Sequence, residues 1–157
     1  MKAFRTKGFR IVEYKVTPTT FHYILNAGSA IRVASEKEAL ALSVEKWQLV
    51  VKFLREKPGS CLDSGGASTC ALCMMHSDEC VRMGKDKRTR TLTRCPVYRA
   101  SGCDQCRCTP YMRAWNSVEW AEREVRFLQA LAPDRKRQPK AIKLLEAWGM
   151  IEKGTRG

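Results

Sequence analysis

The sequence is short of two things that many functions need, namely long apolar runs and histidine. No apolar run is long enough for a membrane-spanning helix, which needs about 20 such residues. Only two histidines occur, His22 and His76, which leaves little scope for histidine-based catalysis. The sequence also has no Walker loop, H-E-x-x-H, G-x-S-x-G or H-x-E with paired cysteines. We therefore predict no catalytic residues, a function other than an enzyme's, and no membrane partner.

Residues 1–10 lack the apolar stretch and the small-residue cleavage site of a secretory signal peptide. We therefore expect a cytoplasmic protein. In a reducing compartment cysteines seldom form structural disulfides, so closely spaced cysteines there indicate metal ligands or redox centres. This chain has eight cysteines, and all of them lie between Cys61 and Cys108.

Acidic residues are also in the minority. The chain has 29 lysines and arginines against 16 aspartates and glutamates, for a formal net charge of +13 at pH 7. Such an excess favours a polyanionic partner, with nucleic acid ahead of an anionic membrane surface. The alternative is that the positive surface only keeps the protein in solution, because charge limits the possible partners without naming one. The sequence does not distinguish RNA from DNA.

The N-terminal part alternates apolar and polar residues as strands do. Arg10–Val16, Phe21–Leu25 and Ala30–Ala34 are predicted strands, separated by turn-forming residues at 17–20 and 26–29. This order predicts a small three-stranded antiparallel meander, which needs a covering element to be stable.

A helix is predicted to supply that cover. Ser35 followed by Glu38 is a capping-box pattern, and Pro58-Gly59 is a stop signal. Between them the apolar residues recur at helical spacing, at Trp47, Val50, Val51 and Leu54. Towards the C-terminus, Asn116 with Glu119 predicts the start of a second helix, and Ala141–Ile151 predicts a short final one.

Composition divides the chain into three segments. Residues 1–58 hold the meander and its helix, residues 59–113 a Cys-rich segment, and residues 114–157 the C-terminal helices with a basic linker. The Cys-rich segment is poor in periodic apolar residues and cannot form a core of its own, so a metal is the agent expected to organise it. The predicted fold class is α+β, with an irregular metal-bound middle.

The spacing of the cysteines is typical of zinc sites. Two C-x2-C pairs separated by a loop present thiolates from tight turns, and four thiolates complete tetrahedral zinc. The pairs are Cys70–Cys73 and Cys103–Cys106, with Cys80, Cys95 and Cys108 near them and Cys61 upstream. Eight cysteines suit one or two zinc ions, and an iron–sulfur cluster is the second interpretation. A redox dithiol is disfavoured because no strand is predicted directly before the first pair.

Four other residues in or next to this segment have two interpretations each. His76 could replace a thiolate, but an exposed polar residue in a loop is favoured because thiols are abundant. Tyr98, Tyr111 and Trp115 could stack on bases, but an apolar lid over the metal site is favoured.

Three short motifs occur in a fixed order: CALC at Cys70–Cys73, CPVY at Cys95–Tyr98 and CTPY at Cys108–Tyr111. In these the chain resembles small uncharacterised proteins of bacteriophages and bacteria that share a CALC…CPVY…G…C..TPY pattern. The resemblance extends over residues 43–128, about half of the chain.

The resemblance implies a metal site formed by Cys70, Cys73, Cys95 and Cys108. The group has a further cysteine three residues before its CP dipeptide, where this chain has Leu92. Candidates for an additional ligand are therefore Cys80, Cys103 and Cys106. The likeness to phage proteins also suggests a location in the host cytoplasm and, by analogy alone, an anti-defence or host-takeover role.

A basic insertion lies between Cys80 and Cys95. Its cations are Arg82, Lys85, Lys87, Arg88, Arg90 and Arg94. If residues 88–94 are extended, Arg88, Arg90 and Arg94 project to one face. Arginine suits bidentate contact with phosphate, so these six side chains are the predicted nucleic-acid contacts. The alternative is a solvated loop.

The predicted function is therefore a zinc-stabilised, basic nucleic-acid-binding protein. The alternative is a non-enzymatic phage protein that binds a host protein complex as an adaptor, inhibitor or anti-defence factor. A metal-site enzyme comes last, since no catalytic constellation accompanies the cysteines.

Overall fold

The computed structural model describes residues 4–28, 33–63, 69–73, 75–76 and 95–154, with the backbone alone at residue 104. It confirms the predicted α+β class, because a three-stranded sheet near the N-terminus is followed by helices, including those predicted at the C-terminus. Within the described residues, no helix is long and apolar enough to cross a membrane.

The sheet begins with a hairpin. Strand β1 (Phe9–Thr17) pairs antiparallel with strand β2 (Thr20–Ala27), and Ile11 stands opposite Leu25. Side chains of a strand alternate between two faces. One face of this hairpin is buried, with Ile11 4% and Leu25 0% exposed, so the predicted alternation of residues is present in the structure.

The third strand differs from the predicted meander. Strand β3 (Leu62–Asp63) lies parallel to β2, beside Tyr23 and Ile24, in the sheet order β1-β2-β3. Of the predicted strand Ala30–Ala34, residues 30–32 lie outside the described part of the chain, and residues 33 and 34 are not in a strand. A helix joins β2 to β3 and returns the chain in the same direction, which is why this pair is parallel.

The predicted covering helix is confirmed. Helix α1 (Glu36–Glu56) follows Ser35, whose side chain accepts a hydrogen bond of 3.2 Å from the Glu38 N–H. Its buried face packs on the sheet, where the ring centroids of Phe53 and Tyr23 are 4.8 Å apart. The β1–β2 hairpin and helix α1, which have the clearest periodicity in the sequence, therefore form the N-terminal layer of the fold.

The remaining helices follow the Cys-rich segment: α2 (Pro96–Ser101), α3 (Val118–Ala130) and α4 (Pro139–Ala147). Two 3-10 turns, Asp104–Cys106 and Pro110–Arg113, lie between α2 and α3. Helix α3 is capped by Ser117, one residue after the predicted cap Asn116, because the Ser117 hydroxyl accepts from the Trp120 N–H at 3.3 Å.

One hydrophobic core joins all three compositional segments. Phe53 and Phe127 from the outer segments are 0% exposed, and Leu72 and Val97 from the Cys-rich segment are 2% and 5% exposed. The Cys-rich segment therefore adds apolar side chains to a shared core rather than forming one of its own. Within the described residues, this arrangement places Cys70 and Cys106 near Lys46 of α1, and Cys106 near Glu124 of α3.

Candidate metal centre and the buried polar network beside it

The first C-x2-C pair forms a tight turn at the start of a short helical stretch. The Cys73 N–H donates to the Cys70 Sγ at 3.3 Å, as a helix-capping side chain accepts from the first turn. Hydrogen bonding from the Cys73 side chain is the main influence that lowers the pKa of Cys70 to about 5, against the opposing effect of burial, and the positive charge of Lys46 contributes. Cys70 is therefore a thiolate at neutral pH, the form that binds metals.

Two more thiols, Cys95 and Cys106, lie within electrostatic range of one another, and Cys70 also acts on Cys106. Cys95 is buried and precedes helix α2, while Cys106 ends the first 3-10 turn. Burial raises the pKa of Cys106 well above its ordinary value, and negative charge at Cys70, Cys95 and Glu124 raises it further. Such mutual influence requires proximity, so the fold brings Cys70, Cys73, Cys95 and Cys106 into one neighbourhood.

The predicted ligands Cys103 and Cys108 are placed differently. They form a disulfide with a Cα–Cα separation of 5.8 Å, which closes a short loop. Inside that loop Gln105 and Cys106 adopt positive φ angles of 57° and 59°, and this turn directs the chain back. The sequence analysis favoured Cys108 over Cys106 as a ligand. In the structure Cys106 is the thiol that interacts electrostatically with Cys70 and Cys95.

The geometry of a metal site is not present in the described residues. Among residues 4–28, 33–63, 69–73, 75–76 and 95–154, no group of three or more His, Cys, Asp or Glu side chains could hold an ion as it stands. Cys61 is exposed. Cys80 lies outside the described part of the chain. So do all six predicted phosphate contacts: Arg82, Lys85, Lys87, Arg88, Arg90 and Arg94.

A buried lysine and a buried glutamic acid lie beside the thiols. Lys46 of α1 is 2% exposed and Glu124 of α3 is 3% exposed. Burial raises the pKa of Glu124 to about 8, the charge of Lys46 opposes that rise, and the charge of Cys70 adds to it. A lysine at this place supplies positive charge to the thiolate, which is one of the ordinary ways in which a protein activates cysteine.

Aromatic side chains pack around that lysine. The Trp47 and Trp115 ring centroids are 4.7 Å apart, and the Lys46 Nζ lies 5.4 Å from the Trp47 centroid and 5.9 Å from that of Trp115. Tyr111 packs edge-on against both tryptophans. Tyr111 and Trp115 thus join an aromatic cluster next to the thiols, the type of environment expected for a lid.

The Glu124→Gln variant should change how stability depends on pH. Between pH 4.5, the ordinary pKa of Glu, and about pH 8, the native carboxyl keeps a proton that the unfolded chain has released, so native stability falls as pH rises. Cys70 has the opposite effect. Between about pH 5 and its ordinary pKa of 9, the native thiol has released a proton that the unfolded chain keeps, so native stability rises with pH. The variant keeps only the Cys70 contribution. Urea unfolding should show it gaining on the order of 1 kcal/mol over the parent between pH 6 and pH 7. Parallel profiles for the two proteins would contradict this.

A second buried network ties the Cys-rich segment to helix α1. The Glu36 carboxylate, 3% exposed, accepts from the Arg99 guanidinium at 3.0 Å and lies 3.4 Å from the His76 Nε2. It also accepts from the Asp134 N–H, in the loop before α4. One carboxylate at the start of α1 therefore holds three separate parts of the chain.

Sequence reasoning missed this network. His76 was expected to be an exposed loop residue, whereas it is 6% exposed and packed against Glu36. Glu36 looked like a solvent-facing acid in the first turn of a helix, where acids are common. The sequence around Glu36 gives no sign of this role, since the partners of Glu36 come from distant parts of the chain, whereas Glu38 bonds locally to Ala34.

Comparison with known protein families, with curated proteins and with solved structures finds no match to this chain. Its function is therefore inferred from the residues and contacts described above.

Proposed function

We propose that the protein is a metal-stabilised, basic nucleic-acid-binding protein. Its Cys-rich segment would bind zinc, with an iron–sulfur cluster as the second candidate. The observation that supports this most is the gathering of four thiols, Cys70, Cys73, Cys95 and Cys106. The binding role is supported by the net charge of +13.

Electrostatics favours a cation among these thiols. Four cysteines close together cannot all ionise at low cost, since each thiolate raises the pKa of its neighbours, as Cys106 illustrates. A divalent cation removes that conflict and stabilises the thiolate form of every ligand. Because the sulfur atoms are not arranged as a metal site in this structure, metal binding would have to draw them together. The ion would hold the shape of the segment and supply no reaction step.

The distribution of basic residues supports a polyanionic partner. Apart from Lys46, the lysines in the described residues are exposed or half-buried. Arg135, Lys136 and Arg137 are consecutive and exposed in the loop between α3 and α4. The insertion between Cys80 and Cys95 adds six more cations within thirteen residues, at positions 82–94. Contacts with phosphate from such residues give affinity without base specificity.

Changing Arg88, Arg90 and Arg94 together to glutamine should flatten the dependence of affinity on salt. Removal of each arginine–phosphate interaction should reduce the slope of log K against log salt concentration by about one unit. Folding should be intact, because solvated charges contribute only about 0–1 kcal/mol each. The measurement is a filter-binding titration over a range of salt concentrations.

The matched control removes the same charge elsewhere, by changing Arg135, Lys136 and Arg137 to glutamine. This variant should keep more of the parent's slope, because the proposal places the main contacts in the insertion. Equal slopes for both variants would assign the binding to general charge alone. A parent protein without affinity for any RNA or DNA would support the adaptor function instead.

A further inference from the structure

The outer face of the N-terminal hairpin carries exposed apolar and aromatic side chains. By the register of β1 and β2, this face presents Arg10, Val12, Tyr14, His22, Ile24 and Asn26. The opposite face is buried at Ile11, Tyr23 and Leu25, where it packs on α1, and exposed at Lys15 and Phe21 near the turn. On the outer face Tyr14 is 38% exposed. Single exposed aromatic side chains are common on protein surfaces, so the neighbours of Tyr14 decide what this face can bind.

The Tyr14 ring has a fixed orientation. Tyr14 stands directly opposite His22, and the two rings meet edge-on with centroids 5.4 Å apart. The Tyr14 hydroxyl and the His22 Nδ1 are 3.2 Å apart, within hydrogen-bond distance. A ring already held in place loses little conformational freedom when a flat partner stacks on it.

Positive charge lies at the other end of the same face. Arg5 forms a bridge with Arg10, which places both side chains on one side of the sheet. The acid on β1, Glu13, hydrogen-bonds to Tyr23 on the inner face instead. Asp63 of β3 stands next to Ile24 of β2. This acidic residue therefore lies on the outer face, but at the edge of the sheet away from β1. The β1 side of the outer face is therefore basic.

We propose that this outer face binds a single strand of nucleic acid, with a base stacked on Tyr14 and phosphates held by Arg5 and Arg10. The inference rests on the proposed function, in which the insertion supplies the main phosphate contacts, and adds the class of strand and a second surface that contacts it. Bases in a duplex are stacked on one another, whereas a single strand can offer a base face to an aromatic side chain. From Arg10 to Tyr14 the strand rises about 14 Å, which leaves room for more than one nucleotide.

A protein strand fits this surface less well. Strand addition needs a free sheet edge. The edge of β1 near Ile11 is already used, because the Ile11 N–H donates to the Phe4 carbonyl at 2.8 Å. The exposed features are instead a ring face and guanidinium groups, which match bases and phosphates.

Fluorescence anisotropy tests the proposal with labelled single-stranded RNA and DNA of about 12 nucleotides and with a duplex of the same length. The parent should prefer single strands, and Tyr14→Ala should weaken their binding about tenfold, the size of one stacking contact. Tyr14→Phe keeps the ring and should bind nearly as the parent does. Phe21→Ala is the matched control, since Phe21 is 43% exposed on the same hairpin and pairs with Lys15 on the opposite face.

The outcomes separate this inference from the proposed function. If the parent binds single strands and Tyr14→Ala binds them equally well, the hairpin surface is wrong and the proposed function stands. If Phe21→Ala loses as much affinity as Tyr14→Ala, the outer face is not the site. If the parent binds no nucleic acid at all, both proposals fail. Comparison of RNA with DNA shows which strand the face prefers.

Discussion

Replacing Cys70 by serine is expected to remove the bound metal and to unfold residues 69–76 and 95–113, while the sheet and α1 keep their structure. Cys70 is the thiol whose pKa is lowered to about 5, and its charge raises the pKa of Cys106. Structural zinc contributes on the order of 10 kcal/mol to folding in small zinc-finger peptides, so the absence of one ligand outweighs any other single interaction in this segment. Hydrogen exchange read by mass spectrometry would locate the unfolded residues.

Cys61→Ser is the matched control for that experiment. Cys61 is exposed and precedes β3, so the serine variant should fold and bind metal as the parent does. Cys106→Ser should behave like Cys70→Ser. If Cys61→Ser disrupts the segment as strongly as Cys70→Ser, the proposed ligand set is incorrect and a second site is present.

Removing the Glu36 carboxylate should produce the second large effect. Glu36→Ala should lower the free energy of unfolding by about 3–5 kcal/mol, because it leaves the Arg99 guanidinium, 13% exposed, without its 3.0 Å partner. It also removes the acceptor of the Asp134 N–H. Urea denaturation of the purified protein would measure this change.

A carboxylate at the other end of the same helix provides the control. Glu56→Ala removes an exposed acid of α1 and should change stability by less than about 0.5 kcal/mol. Glu36→Gln keeps the volume and one oxygen acceptor, and should fall between the parent and Glu36→Ala. A cost below about 1 kcal/mol for Glu36→Ala would mean that the three parts of the chain are held together by packing alone.

The sequence was most informative where local signals act alone. The alternation in β1 and β2 and the Ser35 cap of α1 need no distant partner, and the structure has both. The third strand was harder to predict. Pairing of Leu62 with Tyr23 is a contact between residues far apart, and a two-residue strand has no periodicity to read.

That thiols of this segment lie close together could be predicted from the sequence, but which cysteines take part could not. Clustered cysteines indicated where thiols would gather, yet spacing alone did not show that Cys106 faces Cys70 while Cys108 pairs with Cys103. Which of these cysteines lies near Cys70 depends on the left-handed turn at residues 105 and 106. Neither position is a glycine, so the sequence does not indicate this turn. The burial of Lys46 and Glu124 could not be predicted from the sequence either, since each looks like an ordinary charged residue on an amphipathic helix.

Elemental analysis of the purified protein tests the central proposal most directly. Inductively coupled plasma mass spectrometry would be run on protein prepared without chelators and again after dialysis against a strong zinc chelator, with near-ultraviolet circular dichroism of both samples. We predict at least one zinc ion per chain before dialysis, and loss of the ion together with the tertiary signal of the tryptophans near the thiols afterwards. A protein that contains no metal, has fully reactive thiols and gives the same tertiary signal in both samples would contradict the account.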